Sequence, residues 1–184
     1  MSTNETNGKE ENMNGYRRTT RECGFDQLDP GLRQALGEYF QAHGLGDAQS
    51  GSLLCCETVS ERPSDRNAGT NLALLLYGAR DTTIRLAMAL TAEWLVWARS
   101  GDLSGTVATG AKLQVIKVKP FVARRTKYMD LEVSGFVNAS KEYVRGNLQM
   151  GAEEAAKKFC EEVSQAVQKA APPAKNRVSR WFGM

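Results

Sequence analysis

The chain has 184 residues, 41% of them hydrophobic, and a formal net charge of +3, so it can bury a core without disulfide or metal staples. The surplus charge is local: positions 1–24 balance Lys9, Arg17, Arg18 and Arg21 against Glu5, Glu10, Glu11 and Glu22, whereas 171–184 hold Lys175, Arg177 and Arg180 and no acid. That distribution speaks against nucleic acid as a partner of the folded part, and neither a secretory signal nor the roughly 18 consecutive apolar residues of a membrane helix is present, so the expected location is the cytoplasm.

Positions 1–24 are rich in Asn, Thr, Glu and Gly. They offer too little apolar surface to offset the entropy of ordering, and a disordered arm is expected. The next unit, 25–50, is a lead helix. Asp29 is its N-cap and Pro30 its first residue, and Leu32, Ala35, Leu36, Tyr39 and Phe40 share one stripe before Gly44 ends it. His43, the sole histidine, falls at the helix C-terminus, where a cationic side chain meets the carbonyl end of the dipole.

From Ser52 the pattern is that of strands. Leu53–Val59 is an apolar run, positions 62–69 (RPSDRNAG) read as a turn or loop, and Asn71–Tyr77 is a second apolar run. Arg85–Leu90 alternates, with Leu86, Met88 and Leu90 on one side and Arg85, Ala87 and Ala89 on the other. Trp94–Arg99 alternates again, with Thr91-Ala92-Glu93 as the turn between them. The same stretch has the Ala, Leu and Met of a helix, which keeps a helical alternative open. Positions 100–110 (SGDLSGTVATG) read as a Gly- and Ser-rich connection. Leu113–Phe121 reads as a strand with Pro120 at its end or on an edge. In Lys127–Phe136, Met129, Leu131 and Val133 are expected to face inward and Tyr128, Asp130 and Glu132 outward. Tyr143–Met150 is the last strand, with a bulge or bend at Gly146. A helix over 151–170 carries Ala152, Ala155, Ala156, Phe159, Cys160, Val163, Ala166, Val167 and Ala170 on one face, and Pro172-Pro173 stop it.

About seven short strands, a Leu90-Thr91 step before the apolar Trp94–Ala98 strand, and one C-terminal amphipathic helix together resemble the pleckstrin-homology-like superfold, in particular its small bacterial and GRAM-like members. The resemblance covers about residues 50–170. It implies an α+β fold in which a bent antiparallel β-barrel is capped by the helix, so that 51–171 form one domain; the lead helix, the arm and the basic aromatic tail that the residues give at 172–184 lie outside it. It also implies that an anion or lipid headgroup would be held by basic loop residues, here Arg62, Arg66, Arg124, Arg125 and Lys127.

Chemistry-bearing residues are sparse. A lone histidine and four cysteines without a CxxC pair argue against a protein-built zinc site. Cys55, Cys56 and Cys160 sit at apolar positions as small hydrophobes. Asp130 and Glu132 lie about 7 Å apart on one strand face, a spacing glycosidase carboxylates also show, but a solvated face accounts for them. No phosphate loop with its lysine is present, and no cofactor is implied. The tail, RVSRWFGM, places Trp181 and Phe182 beside Arg177 and Arg180, a composition common at interfaces. The expected function is therefore a non-catalytic interaction or scaffolding module that binds another protein through the barrel groove and the tail. Binding to an anionic membrane surface is the alternative, and an enzyme of unknown type the third.

Overall fold

The computed structural model describes residues 16–62, 81–123, 127–137 and 143–172. The expected strand at 71–77, most of the disordered arm and the tail from 173 lie outside the described residues, as do Arg66, Arg124, Arg125, Arg177, Arg180, Trp181 and Phe182.

The fold is α+β, with eight strands in two antiparallel sheets and a C-terminal helix among the described residues. In order these are β1 (Arg17–Cys23), α1 (Pro30–Ala42), the short α2 (Ala48–Gly51), β2 (Leu54–Glu61), β3 (Thr83–Leu90), β4 (Trp94–Gly101), β5 (Gly105–Lys112), β6 (Lys117–Val122), β7 (Met129–Val137), β8 (Tyr143–Gln149) and α3 (Glu154–Ala170). Strands β1 to β5 pair in chain order as one meander, and β6 to β8 form a second, so the two sheets do not close into the expected barrel.

The central strands β2 to β4 of the five-stranded sheet are packed on both faces. On one, Leu32, Leu36 and Phe40 of α1 pack on Ala87, Val96 and Ala98. On the other, Leu86, Met88 and Leu95 meet Leu131 and Val133 of β7 and Phe159 and Val163 of α3. The small Ala87 and Ala98 on the α1 side let the helix lie close. The bulkier residues of the opposite face fill the space between the sheets. The two indoles divide accordingly: Trp94 packs partly on the α1 side and Trp97 partly on the other.

The β3–β4 hairpin forms where expected, with Leu90 opposite Leu95. Its turn lacks Asn-Gly but uses the Thr91 hydroxyl, which accepts from Trp94 N at 2.9 Å and Glu93 N at 3.3 Å, a side-chain substitute for turn backbone. Helix α1 begins as its sequence requires, Asp29 Oδ1 accepting from Gly31 N at 3.0 Å.

Four expectations are corrected. Residues 17–23 are not part of a disordered arm but pair along β2, from Arg17 opposite Glu61 to Cys23 opposite Cys55. This polar strand is stable because its inward groups find partners: the Thr20 and Thr58 hydroxyls lie 2.8 Å apart, and Gly151 N donates to Thr20 Oγ1 at 2.7 Å, so burial leaves them satisfied. Positions 105–112 are a strand, not a connection. Its small residues are needed because a Cβ on Gly110 would lie 2.7 Å from the Tyr39 ring. The expected strand at 113–121 starts only at Lys117, with a turn over 113–115. Pro120 does stand on an edge strand, β6. The bulge lies at Gly135 rather than Gly146, between Ser134 and Phe136, where φ is +91° and a Cβ would come within 2.8 Å of the Val115 carbonyl.

Where a barrel would continue its ladder past β1, side chains take over. Arg18 N donates to the Tyr128 hydroxyl at 3.1 Å and Thr20 N to Glu153 Oε2 at 3.0 Å. The outer amides of Arg18 and Thr20 are thus satisfied by the residues just before β7 and α3.

Candidate functional site

Helix α3 presents two kinds of surface. Ala156, Phe159, Cys160 and Val163 are buried, while Glu162, Ala166 and Ala170 line a groove of about 550 Å³. Its opposite wall is the start of β2, Leu53 and Leu54, with Leu90 and the β3–β4 turn. Lys158, Gln165 and Lys169 complete the helix side of its lining, so an apolar floor is rimmed by charge. Lys158 Nζ bonds Glu22 at 2.8 Å and so fastens α3 to the end of β1 at one end of the groove.

Leu53 is the most exposed large apolar side chain among the described residues, at 70%. It stands between this groove and a second hollow of about 320 Å³ beside Cys23, Phe25 and Cys55. Its backbone is fixed, since Leu53 N donates to Leu90 O at 2.8 Å. The leucine is therefore held out toward solvent by the same ladder that shapes the groove.

The thiols are suited to packing. Burial pushes Cys55 up to about 11 and Cys56 and Cys160 up to about 12, so each is protonated at neutral pH and a poor nucleophile or ligand. Cys23, half-buried, is raised for the same reason. No three His, Cys, Asp or Glu side chains converge as a metal site needs among the described residues. His43 is the C-cap of α1. Its Nδ1 lies 2.9 Å from Tyr39 O and its ring stacks on Tyr39 at 3.9 Å, the capping position read from the sequence.

Asp130 and Glu132 do not form a solvated pair. Asp130 is buried: Oδ1 accepts from Arg18 at 3.0 Å and Oδ2 from Asn147 at 3.3 Å. Burial raises its carboxyl more than Arg18 lowers it. The Arg18 guanidinium also lies 5.4 Å from the centre of the Tyr128 ring. Glu132 is the more exposed of the two and faces Arg145 at 3.4 Å. Alternation failed at Asp130 because β1 covers that face of β7, and an arginine came with the cover.

Two of the five basic candidates are among the described residues. Arg62 donates to the Tyr16 hydroxyl at 3.2 Å and lies over that ring at 5.1 Å. Lys127 closes the turn before β7, its N donating to Ala123 O at 3.0 Å with φ at 55°. The sequence reading missed the groove. Its signal is the exposed first leucine of Leu53-Leu54, together with Ala166 and Ala170, which pack against the core from the helical stripe and also line the groove.

Compared with known proteins, the chain matches no family model, and no curated protein matches its sequence. No helix among the described residues is long and apolar enough to cross a membrane.

Proposed function

We propose that this chain is a non-catalytic interaction module whose groove between α3 and the start of β2 receives an extended apolar segment of a partner protein. Leu53, 70% exposed on a fixed backbone beside a hollow of about 550 Å³, carries the reading, because apolar side chains held out at a cleft mark contact surfaces. The tail reinforces it. Helix α3 ends at Ala170, which itself lines the groove, so Arg177, Arg180, Trp181 and Phe182 follow within a few residues in the sequence and can add aromatic anchors to the same contact.

The finer architectural reading, a pleckstrin-homology-like arrangement, is part of this proposal. Its support is the order of the elements, a run of antiparallel strands followed by a helix that packs between the sheets.

The test is peptide selection from a random display library on the immobilised full chain, repeated with Leu53→Asp and with Trp181→Ala/Phe182→Ala. Enriched apolar peptides that bind the wild type and lose affinity on Leu53→Asp support the groove. No enrichment, or binding indifferent to Leu53→Asp, overturns it. Affinity unchanged in the tail variant removes the tail from the contact.

A further inference from the structure

The two sheets have outer strands, and an outer strand with free amides is a template for pairing unless it is blocked. Strand β1 is blocked by Tyr128 and Glu153. Strand β6 carries Pro120, which has no N–H, between Lys119 and Phe121 and close to Lys117, the usual guards of an edge. Strand β8, an edge of the second sheet, carries the exposed Arg145, a charge that guards an edge in the same way. Strand β5, Gly105-Thr-Val-Ala-Thr-Gly-Ala-Lys112, has neither proline nor any charge before its last residue.

The phase of β5 follows from one bond. Leu113 N donates to Glu93 O at 2.8 Å, and the register places Lys112 opposite Trp94. Gly105, Val107, Thr109 and Ala111 therefore turn their amides and carbonyls toward β4, while Thr106, Ala108, Gly110 and Lys112 turn theirs away. The outward set is consistent with this: Gly110 O accepts from the Tyr39 hydroxyl at 3.2 Å and Lys112 O from Val115 N at 3.1 Å. The outward amides of Thr106, Ala108 and Gly110 meet no acceptor among the described residues. Val107 is 64% exposed on the face toward the second sheet.

We propose that β5 pairs antiparallel with β5 of a second copy of this chain, about a two-fold axis at Ala108, joining two five-stranded sheets into one. Outward residues must oppose outward residues, and with Ala108 on the axis they do. Ala108 exchanges bonds with its twin, and Thr106 exchanges with Gly110, whose carbonyl has a second lone pair beyond the one used by Tyr39. On the other face Val107 meets Thr109, a β-branched pair suited to a sheet. Lys112 falls opposite Ser104, so no like charges face each other. The β-branched Val107–Thr109 pairs and the absence of facing like charges at this register fit a second copy of the strand, and the surface is separate from the groove.

Sedimentation equilibrium of the full chain over a wide concentration range tests it. The expected result is a reversible dimer. Ala108→Pro removes one outward amide without touching the β4 ladder and should give a monomer whose circular dichroism matches the wild type. Val107→Lys, at an exposed position, should raise the dimer Kd by about tenfold or more and decides the matter where Ala108→Pro fails to fold. Leu53→Asp should leave the dimer unchanged. A wild type that stays monomeric to its solubility limit overturns the proposal, including the case in which a foreign strand fills the edge, and so does a dimer that survives Val107→Lys.

Discussion

Arg18 of β1 and Asp130 of β7 meet at 3.0 Å with both side chains more than nine-tenths buried, at 6% and 8% exposure. They join two sheets that share no backbone ladder. Two charges withdrawn from water stabilise little as a pair, but removing one strands the other. Asp130→Ala should therefore cost about 3–5 kcal/mol in urea unfolding, whereas Arg18→Met/Asp130→Leu should lie close to the wild type. A single-mutant cost below about 1 kcal/mol would show that the seam does not rest on this pair.

Phe159 is fully buried in the cluster that joins α3 to both sheets. Phe159→Ala should cost about 3–5 kcal/mol, the sum of lost transfer energy and a cavity. Chemical denaturation measures it. A small loss would mean that α3 is not the element closing the core.

Asp81 accepts from the Ser104 hydroxyl at 2.7 Å, Leu103 N at 2.7 Å and Ser104 N at 3.0 Å. The Ser104 hydroxyl, then the Leu103 amide, hold its carboxyl below the usual range. A depressed native value means stability that is present above the unfolded value of about 3.9 and is lost as pH falls through the native one. Melting temperature against pH should therefore show Asp81→Asn below the wild type at neutrality, with the gap closing in acid. A gap independent of pH would assign the loss to shape alone.

Local signals in the sequence were enough for α1, the β3–β4 hairpin and α3. Asp29 and Pro30 start α1 through contacts within a turn, and Leu86, Met88 and Leu90 alternate whatever lies above them. The elements that the sequence hid depend on distant partners. Arg18 and Thr20 read as solvated until Asp130 and Gly151 are placed beside them. Gly110 and its small neighbours read as a loop until Tyr39 is laid over them. Leu53 carries the opposite lesson. It belongs to an apolar run, yet the strand begins one residue later and leaves its side chain outside. Of the basic cluster, Arg62 is engaged with Tyr16, an aromatic partner that loop composition alone does not reveal.

The bonds along the outer side of β1 also bear on synthesis. The amide of Arg18 must wait for Tyr128, 110 positions on, and that of Thr20 for Glu153, 133 positions on. At the ribosome's pace of about 5–20 residues per second, β1 spends about 5–25 seconds as a nascent edge whose amides have only water as acceptor. Contacts of such sequence separation also slow the search for the native state. The first strand to emerge is thus among the last to be secured, and the nascent chain is open to mispairing until its C-terminal helix has left the tunnel.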